Sequence, residues 1–128
     1  MSTYLGIDYG TAHIGISLSE GSLSSPLTSL NNNKSLTGQL VKLVETHNIT
    51  TIVIGLPDGP LANEVKIFAK EVGTVTSKEV HLHPETLSTH EAITALRSTG
   101  AKRQKLQNEH AYAACLILDD YLELTAKS

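Results

Sequence analysis

Apolar positions along this chain switch between two spacings, and the switches divide it into alternating strands and helices. Tyr4 to Asp8 is a short apolar run that ends at the turn Tyr9-Gly10-Thr11. From His13 to Ser19, Ile14, Ile16 and Leu18 alternate with His13, Gly15, Ser17 and Ser19. A period of two bounded by Gly and Ser predicts a strand, so the first twenty residues read as a hairpin. Pro26 to Leu30 predicts a third, edge strand, with Pro at its start, where the missing N–H matters least. Asn31-Asn32-Asn33 is a turn signal.

Helical spacing takes over at Leu36, Leu40, Leu43 and Val44, which predicts an amphipathic helix despite Gly38. Thr50 to Leu56 is β-branched and apolar on both faces, as a central buried strand must be. It is broken by Pro57-Asp58-Gly59-Pro60. Ala62 to Val72 predicts a second helix and Glu79 to His83 a further strand. Ser88-Thr89-His90-Glu91 has the Ser-x-x-Glu form of a capping box, opening a helix through about Arg97. Gly100 to Gln107 is polar and basic and reads as a loop. A last helix from about Asn108 to Leu124 buries Ala111, Ala114, Leu118 and Tyr121 or Leu122. The order β-β-β-α-β-α-β-α-α implies an α/β fold, with a mixed sheet and helices on both faces. No repeat or linker interrupts it, so residues 1–128 are expected to form one domain.

Composition narrows the function. Aromatics make up 4%, with no Trp and one Phe, so the core is built from Leu, Ile, Val and Ala. The base-stacking platforms of many single-strand binders are therefore not expected. A net charge of −3 excludes a protein that coats nucleic acid nonspecifically, since that affinity comes from neutralising phosphates. Any nucleic-acid role must rest on local charge and a specific site. Cys115 is the lone cysteine, which rules out an intrachain disulfide. It falls in the apolar stripe of the last helix and reads as a buried structural thiol. The N-terminus has no basic region or cleavage site, and no apolar run approaches the ~18 residues of a membrane span. A cytoplasmic protein with no membrane partner is expected.

Three positions carry candidate chemistry. Asp8 closes a buried strand beside a tight turn, where open α/β sheets place ligands; the alternative is a turn cap made by its own side chain. Glu85 follows His81-Leu82-His83 at another strand end, and alone reads equally as a solvated loop residue. Two acidic residues at two strand ends can converge on one divalent cation, and oxygen ligands suit Mg2+ or Mn2+. His110 lies just inside the last helix, in line with Ala114, Ile117 and Tyr121, either facing the site or packing under the strands. Glu109 is expected to point about a quarter-turn away. His81, His83 and His90 have no cysteine partner at ligand spacing and read as structural.

Taken in order, Gly6-Ile7-Asp8-Tyr9-Gly10-Thr11, His13-Ile14-Gly15, Val53-Ile54-Gly55-Leu56-Pro57, Glu85-Thr86-Leu87-Ser88-Thr89 and Ala113-Ala114 with Ile117-Leu118 resemble the YqgF/RuvX family. The resemblance spans nearly the whole chain. It implies an RNase H-like mixed five-stranded sheet. It also implies a nuclease acting on pre-16S rRNA, in ribosome biogenesis, or on Holliday junctions. Three acidic residues hold the metal in that family; Asp8 and Glu85 match two, and the third match falls on His110. The family's Asp-Glu-Arg reads here as Pro84-Glu85-Thr86, its usual arginine before Ile-Gly is His13, and the loop after Gly-Leu-Pro is shortened. A neutral imidazole contributes no charge and suits hard Mg2+ poorly, which shifts preference towards Mn2+, lowers affinity or abolishes catalysis. Both lost arginines remove two-pronged phosphate contacts.

Three readings follow. In the first, Asp8, Glu85 and His110 serve metal-assisted phosphodiester hydrolysis, with His110 a weak ligand or a general acid/base. Thr11, Lys102, Arg103 and Lys105 then bind substrate, the basic three at flanking phosphates unless they are an ordinary solvated loop. In the second, the site has decayed and the fold binds RNA or a protein partner. In the third, Asp-x-Gly-Thr after a first strand marks the phosphate loop of actin-like ATPases and sugar kinases; 128 residues cannot supply their two domains, and no Gly-x-x-x-x-Gly-Lys-Ser/Thr is present. Nucleic acid, as pre-rRNA or branched DNA, is the expected partner of a monomer or a homodimer; symmetric cutting of two strands calls for the dimer.

Overall fold

The computed structural model describes residues 2–85, 91–95 and 103–126, with side chains in the last stretch described from Glu109 onward. Five strands form one sheet: β1 (Tyr4–Tyr9), β2 (His13–Ser19), β3 (Ser24–Asn31), β4 (Thr51–Leu56) and β5 (Glu79–Pro84), in the order β3-β2-β1-β4-β5. β1, β2 and β3 pair antiparallel, whereas β1, β4 and β5 run parallel. The first hairpin is therefore as expected, and the helices α1 (Leu36–Thr46) and α2 (Leu61–Thr76) supply the two parallel crossovers. Residues 91–95 are helical, and α3 (Arg103–Ala126) closes the described chain.

Strand alternation sorts side chains onto two faces. Leu5, Ile7, Ile14, Ile16, Ile52 and Ile54 pack against Leu36, Leu40 and Val44 of α1 and Val65, Phe68 and Val72 of α2. On the other face Val53 packs with Ile93 and with Ala113, Ile117, Leu118 and Leu122 of α3. The sheet is thus covered on both sides, the mixed α/β arrangement expected from the element order. Ile54 is fully buried in the larger core. Ile54→Val, which deletes one methylene, is expected to lower stability by about 1 kcal/mol, read as a shifted urea midpoint with an unchanged slope.

Several boundaries differ from the sequence reading for identifiable reasons. β3 begins before Pro26, which pairs with Ser17 inside the strand. Thr28 pairs with Ile16, so β3 advances two residues while β2 advances one, and Leu27 is the extra residue of a bulge. An edge strand with a bulge tolerates a residue that cannot donate to the ladder. α2 runs on through Gly73, and the hydroxyls of Thr74 and Thr76 donate to the carbonyls of Lys70 and Val72. It stops at Ser77, which has a left-handed φ of 58°. α3 starts at Arg103, so the expected basic loop is helical from there; Arg, Gln, Lys and Leu are all strong helix formers with no Gly or Pro among them. The capping box at Ser88, His90, and the expected helix end near Arg97 lie outside the described residues.

Candidate nucleic-acid cleavage site

The parallel strands bring their carboxyl ends to one edge of the sheet. Ile7, Ile54 and Leu82 lie in one row across β1, β4 and β5. Asp8 stands one residue past that row and Glu85 three past it, and both share the alternation that faces α3. Neighbouring strands lie about 4.8 Å apart, so the two backbones are separated by about 10 Å across β4. Asp8 is only 6% exposed, a buried carboxylate at the end of the central strand. Glu85 is half-buried, and its N–H donates to the Leu56 carbonyl at 3.1 Å, carrying the β4–β5 ladder past Pro84.

α3 reaches this edge by passing very close to the sheet. Gly15 pairs with Asp8 across β1–β2, and a Cβ built on it would overlap the carbonyl of His110. Gly55 on β4 leaves the space that Ile117 fills, since its Cβ would sit 2.5 Å from Ile117 Cδ1. Glycine is therefore required at Gly15, where the clash is with backbone, whereas at Gly55 the neighbour is the end of a flexible side chain. The contact at Gly15 sets α3, two turns in from its start, beside Asp8, and the His110 ring lies 5.2 Å from that of His13 between centroids. His13 itself is exposed.

The structure thus brings Asp8 and the His110 backbone to the same spot, with Glu85 two strands away on the same face. Thr11 is exposed in the loop between β1 and β2. Asn32 holds that loop: its side-chain amide donates to the Gly10 carbonyl at 2.9 Å and its backbone N–H to Ala12 at 2.9 Å. The three asparagines mark a turn in the sequence, but nothing there says that the second reaches back to the hairpin. Arg103 and Lys105 lie in the first turns of α3, and Lys102 lies outside the described residues.

Glu109 is the residue that sequence reasoning passed over. It is 7% exposed and shares the helix flank of Ala113, Ile117 and Asp120, the flank that meets β4 and β5. His81 and His83 have acidic partners, Glu79 at 3.0 Å and Asp120 at 2.6 Å. Cys115 is buried, and that burial raises its thiol above the ordinary range; a hydrogen bond from Ser24 opposes the rise and the Asp119 charge adds to it. Burial likewise raises the Tyr121 phenol, helped by Tyr4 and Glu79.

Among the described residues, no three His, Cys, Asp or Glu side chains gather closely enough to hold one ion between them. The donor chemistry of Asp8 and Glu85 nevertheless fits a hard divalent cation. Such an ion takes one or two protein carboxylates and completes its shell with water and substrate phosphate.

Strand order, the antiparallel hairpin leading into parallel strands, and helices on both faces define an RNase H-like α/β fold. RuvC of Thermus thermophilus in complex with a Holliday junction substrate superposes with a TM-score of 0.59, at 11% identity, covering 98% of this chain and 96% of that one. The fowlpox virus resolvase, solved with Holliday junction DNA, gives 0.56 at 11% identity, covering 96% and 98%. These likenesses establish the fold. The family profile described as RuvX, Holliday junction resolvase, matches residues 2–124, and the chain belongs to that family. Proteins of Rickettsia peacockii and Chloroflexus aurantiacus, provisionally named pre-16S rRNA nucleases, are each 32% identical over 130 residues. Those alignments cover 93% of this chain and 84% and 85% of the relatives. Among the described residues, no helix is long and apolar enough to cross a membrane.

Proposed function

We propose that this protein is a divalent-cation-dependent nuclease that cuts structured nucleic acid, and that its substrate is the 5′ end of pre-16S rRNA. The observation that carries the reading is the buried carboxylate of Asp8 at the end of the central strand, with Glu85 on the same face two strands away. Carboxylates at the carboxyl ends of parallel strands lie where open α/β sheets place ligands, and oxygen donors suit a hard divalent cation. Membership of the RuvX family and the names of the relatives support the reaction class.

In this proposal Asp8 and Glu85 hold Mg2+ or Mn2+, which when bound activates water and stabilises the leaving oxygen. Asp8 is the central anchor because the backbone around it is fixed on both sides, by β2 and by β4. Glu85 approaches from the edge strand. His110 stands at the position of the third acid and acts as a weak ligand or moves a proton at the scissile phosphate. Thr11 contacts the substrate from the β1–β2 loop, and Lys102, Arg103 and Lys105 bind flanking phosphates. Such a protein works in the cytoplasm, where rRNA is made.

A second reading is favoured by one observation, the imidazole at position 110: the fold is kept, the site has lost cleavage, and RNA is bound without it. His110→Asp separates the two. It adds a carboxylate beside Asp8 and is expected to raise Mg2+ affinity and the cleavage rate about tenfold, since hard-cation affinity follows ligand charge. Cleavage by the substituted protein alone, with metal-independent RNA binding by the natural one, would establish the second reading. A four-way DNA junction assayed beside the RNA precursor decides the substrate class.

A further inference from the structure

Asp119 and Asp120 are neighbours on α3 that reach to opposite edges of the sheet. Asp119 Oδ1 accepts the Ser24 N–H at 2.8 Å at the start of β3, and the Ser24 hydroxyl donates to the Cys115 carbonyl at 3.1 Å. Asp120 Oδ2 lies 2.6 Å from His83 Nε2 on β5. The His83 and Asp120 side chains are only 13% and 23% exposed, and the Tyr121 ring meets His83 edge-on at 5.7 Å. One helix is thereby fastened to both edge strands through adjacent carboxylates.

β5 is paired on one side only, to β4, and the ends of edge strands open most easily. Glu85 stands at that end, two residues past His83 and on the same face. α3 in turn is seated against Gly15 beside Asp8. A path of packed groups thus runs from Asp8 through α3 to Asp120, His83 and Glu85.

We propose that the His83–Asp120 contact is a positioning device for Glu85: it clamps the end of β5 to α3 and so sets the Glu85 carboxylate relative to Asp8. This inference rests on the reading of Asp8 and Glu85 as the cation-holding pair. Asp119 makes a matching contact at the far edge, away from Glu85, and is the internal control.

The test uses the full chain with Asp120→Ala, Asp120→Asn and Asp119→Ala, and His83→Gln should Asp120→Ala fail to fold. Two quantities are read: Mn2+ affinity by calorimetry, and hydrogen exchange at the Glu85 amide, which donates to Leu56. Asp120→Ala is expected to weaken Mn2+ binding roughly tenfold, the usual effect of removing a group that orients a ligand, and to speed Glu85 exchange. Asp120→Asn keeps a hydrogen-bonding partner for His83 and restores most of both. Asp119→Ala leaves both near the natural values even where it lowers the melting temperature. Equal effects from Asp119→Ala and Asp120→Ala, or Glu85 exchange unchanged by Asp120→Ala, would overturn the proposal. If the natural protein binds no Mn2+ at all, the reading of the cation pair fails, and the Glu85 exchange still decides whether the clamp positions that residue.

Discussion

Gly15→Ala is expected to be the most damaging Gly→Ala change among the described glycines, lowering stability by about 3 kcal/mol or more. The added Cβ would occupy the place of the His110 carbonyl, a backbone atom of a helix that cannot rotate out of the way. Either α3 lifts from the sheet or β2 bends away from β1, and both uncover the smaller core around Ile117 and Leu118. For a chain of this length the shift corresponds to a fall in melting temperature of roughly 10 °C. Gly38→Ala supplies the contrast: nothing lies within 4 Å of its Cβ position in α1, so the same methyl is expected to stabilise by about 0.5–1 kcal/mol. Thermal unfolding of the two variants side by side checks both signs. Gly15→Ala melting at the natural temperature would mean that α3 does not approach the sheet as described.

Asp8→Asn is expected to abolish cleavage while leaving the fold intact. The amide fills the same volume and keeps a hydrogen-bonding side chain there, so the variant should still unfold in one cooperative transition. Loss of the anchoring carboxylate removes several kcal/mol of charge stabilisation, and each 1.36 kcal/mol is tenfold in rate, so a fall of about a thousandfold or more follows. Mn2+ affinity should fall with it, because only Glu85 of the proposed carboxylate pair remains. Activity lost by a protein that still unfolds cooperatively is a pattern that general damage to the fold does not produce.

Much of the architecture can be read directly from the residues. The alternation from His13 to Ser19, the doubly apolar run Ile52-Val53-Ile54 and the helical spacing of Leu36, Leu40 and Val44 each have one structural solution. The resemblance carried by Gly6-Ile7-Asp8-Tyr9-Gly10-Thr11 and the later motifs extended this to a mixed sheet of five strands, which the structure bears out. What stayed hidden depends on contacts between elements distant in the chain. The bulge at Leu27 lets Pro26 sit inside a strand, and only pairing with β2 reveals it. The first turns of α3 are polar and carry no periodic signal, so a loop and a helix look alike there. Glu109 lies a quarter-turn from His110, as adjacent helical residues do, and its burial could not be read from the sequence, because it follows from α3 lying low on Gly15 and Gly55. Asp120 and His83 are thirty-seven residues apart and become partners only once β5 and α3 are docked.

The central claim is most directly tested by incubating the natural protein and Asp8→Asn with a labelled pre-16S rRNA 5′ precursor and a labelled four-way junction, in Mg2+, in Mn2+ and in chelator. The natural protein is expected to cleave the RNA only with a divalent cation, more strongly in Mn2+, and folded Asp8→Asn not at all. Cleavage that persists in chelator, or that Asp8→Asn retains, would contradict the claim.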